Sequence, residues 1–393
     1  MGRSLALEPF RALRYAPERV SDLGAVTSPP YDMLDEETTD ALRRIEPHNV
    51  VRLTLDPDGP ESAAHRLAGW REDGVLITDP EPALYGYERR VDDRLVQRGL
   101  LGVLGLRDPS ERIVLPHENV MPGPVAGRLA LLRATETNLE PLFLTYDGAG
   151  GVTREVLADP GPDLISAAVA GPAGGSVAEG VGPDEHRIWR IDDPAVIAAI
   201  SADLRGRRAL IADGHHRYAA ARALQAERGG DGPWNSVLTL LVDHGRYPPL
   251  LGAIHRVVPG LDPRTVLRAA AESSIETFPA TAGTAPEDAV LITDGRAWFR
   301  LAPPATGGLP VHTVDDVLLR TRLDIPEDGV RYVHDRPNAI RTAERDHGTA
   351  FLLPPAPADQ VLALAERGLT MPRKSTSFGP KPRTGFVLRA FDN

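Results

Sequence analysis

Apolar residues fall along this chain in short runs closed by glycine, proline or acidic residues, a pattern of strands more than of long helices. Runs at 209–212, 142–146 and 237–243 predict buried strands. The runs at 83–91 and 100–106 predict a hairpin, and 50–55, in NVVRLTL, predicts a further strand. The run 250-LLGAIHRVV-258 is expected to pair antiparallel with 237–243 across a loop carrying His244, Tyr247 and two prolines. Helical segments lie between these runs. DEETTDALRRI at 35–45 begins with acidic residues, as the helix dipole favours; ESAAHRLAGWRE at 61–72 follows. A helix from 125 carries Leu129, Leu131 and Leu132 on a partly buried face, and 218–227 is rich in strong helix formers. The fold class this predicts is α+β, with mixed, largely antiparallel sheets, flanking helices and a closing strand at the end of the chain.

At 393 residues the chain has room for two or three domains or one composite unit. Breaks are expected in the Gly/Pro-rich interval 171–185 and, more weakly, at FPATAGTAPED and APPATGGLP. The expected division is an N-terminal α+β region at 1–170, a central segment at 186–275 and a C-terminal region at 276–393 that closes over the site. A formal net charge of −11 argues against a nucleic-acid partner, because phosphate-backbone affinity is built from clustered Lys and Arg. The absence of cysteine excludes disulfides, thiolate metal sites and a thiol nucleophile. With no run of about 18 apolar residues and no signal-peptide core at the N-terminus, the expectation is a cytoplasmic protein that meets no membrane.

The stretch 208-RALIADGHHRYAAARAL-224 sets Asp213, Gly214, His215, His216 and Arg217 at the corner between a strand and a helix. A helix N-terminus leaves its first N–H groups without intrahelical partners and carries positive potential, so this corner is suited to an anion. Arg217 adds a fork of donors that fits phosphate, the two histidines add hydrogen-bond donors, and Asp213 orients an imidazole or holds a phosphate-bound metal ion. A bare transition-metal site competes with this reading, but adjacent turn residues seldom converge on one ion and no HxH or HExxH spacing occurs.

Other segments carry candidate chemistry. In 115-LPHENVMPGPVAGRLALLR-133, Glu118 is a candidate general base beside His117, with Arg128 available for an anion. RKSTSFGPK near the end of the chain supplies Lys374, Ser375, Thr376 and Lys381 on a proline-stiffened loop suited to phosphate contacts, without being a Walker A loop. Around the turns at 28–32 and 47–52, Asp32, Asn49 and Arg52 are further candidates.

SPPYD, PHNVVRL, LPHENVMPGPVAGRLALLRATETNLEPLF, ADGHHRYAAA and MPRKSTSFGPK, in that order over nearly the whole chain, resemble the domain-of-unknown-function family 1015 of bacteria and archaea. HENV stands where that family usually has a HERT-like segment, and KSTSFGPK where it has KSTYFYPK. The GHHRYAAA core also resembles the GCHRY motif of sulfiredoxin and the GERRYRAA motif of ParB-type proteins, a superfamily that includes free serine kinases with DGHHR. The resemblance implies a ParB/sulfiredoxin-like nucleotide-binding unit, with the phosphates on Gly214, His215, His216 and Arg217. Sulfiredoxin chemistry is excluded because His215 replaces the required Cys. The expected activity is a phosphotransferase using ATP or ADP with Mg²⁺, with Asp213 on the metal and Lys374, Ser375 and Lys381 closing over the phosphates. Glu118 is the first choice of base and Asp32 the second. Arg128 or Arg52 would hold the carboxylate of a small hydroxylated acceptor such as serine. The alternatives are a nucleotide-responsive module without turnover and a phosphoester hydrolase on the same anion site.

Overall fold

The computed structural model describes residues 4–148, 151–169, 184–281, 289–302, 309–356, 358–372 and 374–392. The interval 171–183 lies outside these residues, as do 282–288 and 303–308 of the two weaker breaks. By its contacts the chain divides into two compact units. One comprises Met1–Pro249, Ala365–Gly368 and Pro380–Asn393, the other Leu250–Leu364 and Leu369–Gly379.

The first unit is built on a nine-stranded sheet. Its strands are β1 (Leu7–Glu8), β2 (Leu84–Val91), β3 (Arg94–Gly105), β4 (Val114–Leu115), β5 (Leu142–Tyr146), β6 (Asp163–Val169), β7 (Asp184–Ile191), β8 (Ala209–Asp213) and β9 (Ser236–Asp243). They run in the order β4-β8-β5-β9-β3-β2-β7-β6, with β1 beside β3. Only β4 with β8 and β5 with β9 are parallel; the remaining pairs are antiparallel, so the sheet is mixed and largely antiparallel, as the sequence pattern implies. The hairpin of β2 and β3 forms as expected. Every residue of β5 is buried, and Leu142, Leu144, Leu100, Ile211 and Leu241 belong to one core with Tyr218. Each such side chain contributes about 1.5–3 kcal/mol relative to exposure, which makes this sheet a rigid base for the loops at its ends.

The helices of the first unit that bear on the site are α1 (Glu36–Ile45), α2 (Val51–Thr54), α3 (Pro60–Glu72), α4 (Pro122–Thr135) and α5 (His215–Arg228); Val152–Ala158 and Pro194–Leu204 are two more. Asp35 caps α1 by accepting from the Thr38 N–H at 2.8 Å. The segment 50–55 is helical rather than a strand. Asn49 Oδ1 accepts from the Val51 N–H at 2.9 Å while its amide donates to Ala25 O and Thr27 O, and this pinned turn overrides the β propensity of the valines. α5 begins at His215, three residues before the periodic pattern suggests, and packs against α4.

In the second unit, β10 (Leu250–Ala253), β11 (His255–Val258), β12 (Thr277–Pro279), β13 (Val290–Thr293), β14 (Trp298–Leu301), β15 (Arg331–Val333), β16 (Thr349–Leu352) and β17 (Thr376–Gly379) are the strands. Six form an antiparallel sheet in the order β12-β14-β13-β16-β11-β15, and β10 pairs with β17. Val257, Leu291, Ala339, Ala343, Ala350 and Leu352 form its core. The expected pairing of 237–243 with 250–258 is therefore corrected. β9 is an interior strand between β5 and β3, the run 250–258 breaks at Ile254 into two strands, and Pro248 and Pro249 separate it from β9. Among the described residues no helix is long and apolar enough to cross a membrane.

Candidate functional site

β8 ends at Asp213 and α5 starts at His215, with Gly214 between them at φ +99°. A side chain at this position would be strained by the backbone and would meet Leu142 Cδ2 at 2.7 Å, so the sharp corner requires glycine. No side chain caps α5, and its first turn presents uncapped backbone donors and the positive end of a fourteen-residue helix dipole.

Charged side chains from distant parts of the first unit meet at this corner. Arg217 Nη2 donates to Asp213 Oδ2 at 2.5 Å, and the Lys381 ammonium pairs with Asp213 Oδ1 and, at 3.3 Å, with Asp32 Oδ2. Arg217 Nη1 donates to Pro141 O at 2.5 Å, and its Nε is buried without a partner. Glu140 Oε1 accepts from the Tyr31 N–H at 3.1 Å and from the Thr384 hydroxyl at 3.2 Å. Arg128 lies 4.0 Å from Glu140 Oε2 with its guanidinium 4.1 Å above the Tyr31 ring, and donates to Thr54 O. Three carboxylates thus face three cations.

Burial pulls the Lys381 ammonium down, but the Asp213 and Asp32 carboxylates outweigh it and raise it above its ordinary value. Arg217 behaves alike: burial lowers it, and Glu140, Asp213 and Asp32 raise it further. Both cations are charged at any working pH. Burial pushes the Tyr31 hydroxyl up to about 12.

The histidines serve a neighbouring loop. The His117 N–H donates to His215 Nε2 at 3.3 Å, and the Met121 N–H donates to His216 Nε2 at 3.1 Å. As acceptors, both Nε2 atoms are unprotonated, and they hold the segment 117–121 that carries half-buried Glu118. His117 is 1% exposed, its Nδ1 lies 2.7 Å from Ile211 O, and burial takes it down to about 4. His215 is held well below its ordinary range by burial first and then by His117, His216 and Lys381.

Lys381 is itself mounted from the sheet. Gln97 Nε2 donates to Pro380 O at 2.6 Å and Arg89 Nη1 to Lys381 O at 3.3 Å; Arg89 in turn grips Asp184 with two bonds of 2.7 and 2.9 Å.

Of the residues singled out in the sequence, Asp32, Asp213, Gly214, Arg217 and Lys381 come together, with His117, His215 and His216 beside them. Arg128 reaches the same cluster through Tyr31 and Glu140. Asn49 and Arg52, expected at a substrate, instead bond to backbone: Asn49 to Ala25, Thr27 and Val51, and Arg52 Nη2 to Arg43 O at 2.6 Å. Lys374, Ser375 and Thr376 belong to the second unit. There Lys374 O accepts from Arg256, Ser375 Oγ bonds Pro372 O, and Thr376 opens β17. Glu140, Tyr31, Arg89 and Gln97 are the residues that reading the sequence passes over. The signal for Glu140 was a carboxylate set between apolar residues in NLEPLF.

An uncapped helix start, a glycine corner, the buried Arg217 and the partly buried Lys381 suit phosphate oxygens. Among the described residues no group of three or more His, Asp or Glu side chains is gathered to hold a metal ion. A magnesium ion here would draw most of its ligands from phosphate and water, its usual habit in phosphoryl-transfer sites.

The fold is similar to several solved structures. A C-terminally truncated SbnI from Staphylococcus aureus is 13% identical, with 74% of this chain and 87% of that one covered and a TM-score of 0.43. A mutant free serine kinase in complex with AMP is 12% identical, with coverage of 70% and 89% and a TM-score of 0.39. A conserved hypothetical protein from Pyrococcus furiosus is 13% identical, with coverage of 71% and 92% and a TM-score of 0.39. No curated protein matches the sequence. The model of the family described as "Protein of unknown function (DUF1015)" matches residues 7–325, and the chain belongs to that family.

Proposed function

We propose that this protein is a nucleotide-dependent phosphotransferase acting on the hydroxyl of a small metabolite such as free serine. The observation that carries the reading is the Lys381 ammonium held between Asp32 and Asp213 at the uncapped start of α5. In it, Lys381, Arg217 and the first amides of α5 hold the phosphates of ATP or ADP, and Asp213 would hold the magnesium ion that accompanies them. When bound, magnesium would neutralise part of the phosphate charge. The acceptor oxygen takes the terminal phosphoryl group, its proton passes to a carboxylate, and the nucleotide leaves with the bridging oxygen.

Asp32 is favoured over Glu118 as that carboxylate, because Asp32 shares an ammonium with Asp213 at the corner whereas Glu118 rides on the neighbouring loop. Its task is chiefly to orient the hydroxyl, since phosphoryl transfer has a loose transition state.

The test is a nucleotide-binding thermal shift followed by transfer of labelled phosphate to a panel of hydroxylated amino and hydroxy acids. Asp32→Asn should lower turnover roughly 10²- to 10⁴-fold while nucleotide affinity barely moves. Full turnover in Asp32→Asn with loss in Glu118→Gln would return the role to Glu118. Nucleotide binding with no transfer would leave a regulatory module, and phosphate released to water alone would make it a hydrolase.

A further inference from the structure

Elsewhere in the first unit, a groove of about 950 Å³ lies between the helix Pro194–Leu204, the end of β7 and the loop 79–82, and shares no lining residue with the corner. Its loop is pinned. The Asp79 N–H donates to Ala12 O at 2.9 Å, Phe10 and Ala83 exchange backbone bonds of 3.0 Å, and Pro80 and Pro82 fix their own φ. Asp79 is 2% exposed and accepts from Arg14 Nε at 2.8 Å, from the Tyr85 hydroxyl at 2.8 Å and from Arg190 Nη1 at 3.1 Å. Two guanidiniums therefore share one buried carboxylate. Every nitrogen of Arg190 is engaged, since Nη2 donates to Glu81 O at 3.2 Å and Nε faces Asp192 at 3.5 Å. Arg14 differs. Its side chain lines the groove and is 15% exposed, and only its Nε is bonded. Nη1 and Nη2 have no partner among the described residues and are not shut off from solvent.

We propose that this groove is a second small-molecule site, which takes a monocarboxylate with an apolar body on the terminal nitrogens of Arg14. The head group follows from the free donors, because the planar fork of a guanidinium matches the two oxygens of a carboxylate. The charge follows from the neighbours. Asp79 answers one of the two guanidinium charges, while the exposed carboxylates of Glu81 and Asp192 on the same lining repel a second negative charge on the ligand. The body follows from the walls: half-buried Leu164 and Ile197, with exposed Pro80 and Pro82, turn apolar surface into a concave space of the size that holds small ligands. Loop and guanidinium are both fixed before a ligand arrives, so binding has little left to order. The site is independent of the phosphotransferase reading.

The experiment is calorimetry on the full chain with octanoate as the probe, beside hexanoate, 1-octanol, which lacks the carboxylate, and suberate, which has two. Octanoate should bind saturably, one per chain. Hexanoate should bind roughly tenfold more weakly, because each buried methylene is worth about fourfold in affinity. Octanol and suberate should each lose roughly tenfold or more, the first for want of a charge-assisted bond and the second by repulsion. Arg14→Lys keeps an ion pair for Asp79 and removes the fork, so octanoate should weaken roughly tenfold while octanol stays where it was. Ala198→Trp fills the groove from an exposed helical position that burdens no buried group, and should weaken octanoate roughly tenfold with the melting temperature unchanged. It decides the matter should Arg14→Lys fail to fold. The proposal is overturned by no saturable binding of octanoate, by octanol or suberate binding as tightly, or by an octanoate affinity that Ala198→Trp leaves untouched. A wild-type dimer that Ala198→Trp dissociates in sedimentation would give the groove to a second copy of the chain, and would overturn it too.

Discussion

Two arginines, one in each unit, are buried beside an aspartate, and they are used in opposite ways. Arg256 on β11 is 0% exposed, grips Asp315 with bonds of 2.9 and 2.7 Å, donates from Nη1 to Ile254 O and Lys374 O, and lies 5.2 Å from the Tyr332 ring. All three of its nitrogens are engaged. Arg217 on α5 leaves Nε unpartnered, and its aspartate is shared with Lys381. A saturated guanidinium has nothing left to offer a ligand and serves as scaffold; an unsaturated one keeps a donor to spare, as the proposed phosphate corner requires.

The largest effect expected from this contrast is on stability. Arg256→Ala strands Asp315 and two carbonyls, and breaking a buried pair from one side costs about 3–5 kcal/mol. Arg217→Ala should cost less, because Asp213 keeps Lys381 as a partner. Denaturant titration of both variants checks this, and equal losses would erase the distinction.

Acid sharpens it next. His117 at the corner and His255 on β11 are both taken from an ordinary value of 6.5 to about 4, chiefly by burial. The unfolded chain therefore binds more protons than the folded one between those values. Stability is full above pH 6.5 and falls as the pH drops toward about 4, by on the order of 3 kcal/mol per histidine at most. The two differ in tautomer: His117 Nδ1 faces the Ile211 carbonyl and so donates, whereas His255 Nδ1 accepts from the Leu353 N–H. Protonation removes the second bond and spares the first. His117→Asn keeps a donor without a titrating group, and should remove one proton from the slope of stability against pH over that window. An unchanged slope would show that His117 does not titrate there.

Ligand affinity comes third. Arg217→Ala should weaken nucleotide binding by about 1.5–3 kcal/mol, the range of a charge-assisted hydrogen bond, measured by calorimetry on a folded variant.

Local pattern carried the elements further than their partners. The hairpin of β2 and β3 is legible because a short turn fixes who pairs with whom. β9 reads plainly as a strand, but nothing in VLTLLVD says that β5 and β3 flank it; a strand buried on both faces has no alternation to report its neighbours. Val50 and Val51 misled because a single Asn49 side chain, bonded to a segment more than twenty residues earlier, decides their conformation. At the site, Asp213 to Arg217 are legible because they are consecutive. The meeting of Asp32 with Lys381 spans 349 residues and is not. Arg89 and Gln97 look in sequence like ordinary polar positions on β2 and β3, and only tertiary placement turns them toward Pro380 and Lys381.

That last placement gives the smallest effect and the finest test of the contrast. If the corner is a site held ready, the bonds that mount Lys381 act on ligand affinity more than on folding. Gln97→Met keeps the volume of a side chain that is 2% exposed and removes its donor to Pro380 O. Losing one neutral hydrogen bond is worth about 0.5–1.5 kcal/mol, and Arg89 still holds Lys381 O from the other side, so the fold survives. The loosened ammonium sits less closely between Asp213 and Asp32, whose charges are what raise it. Nucleotide affinity should fall about 2- to 10-fold, the same energy expressed as binding. Acylation of the Lys381 amine at mildly alkaline pH, followed by peptide mass spectrometry, should accelerate, because a lower ammonium value exposes more free amine. A general structural role for Gln97 would move the melting temperature and leave the relative acylation of Lys381 where it was. That result would make Gln97 part of the scaffold, in the manner of Arg256, and place the boundary of the site at Lys381 itself.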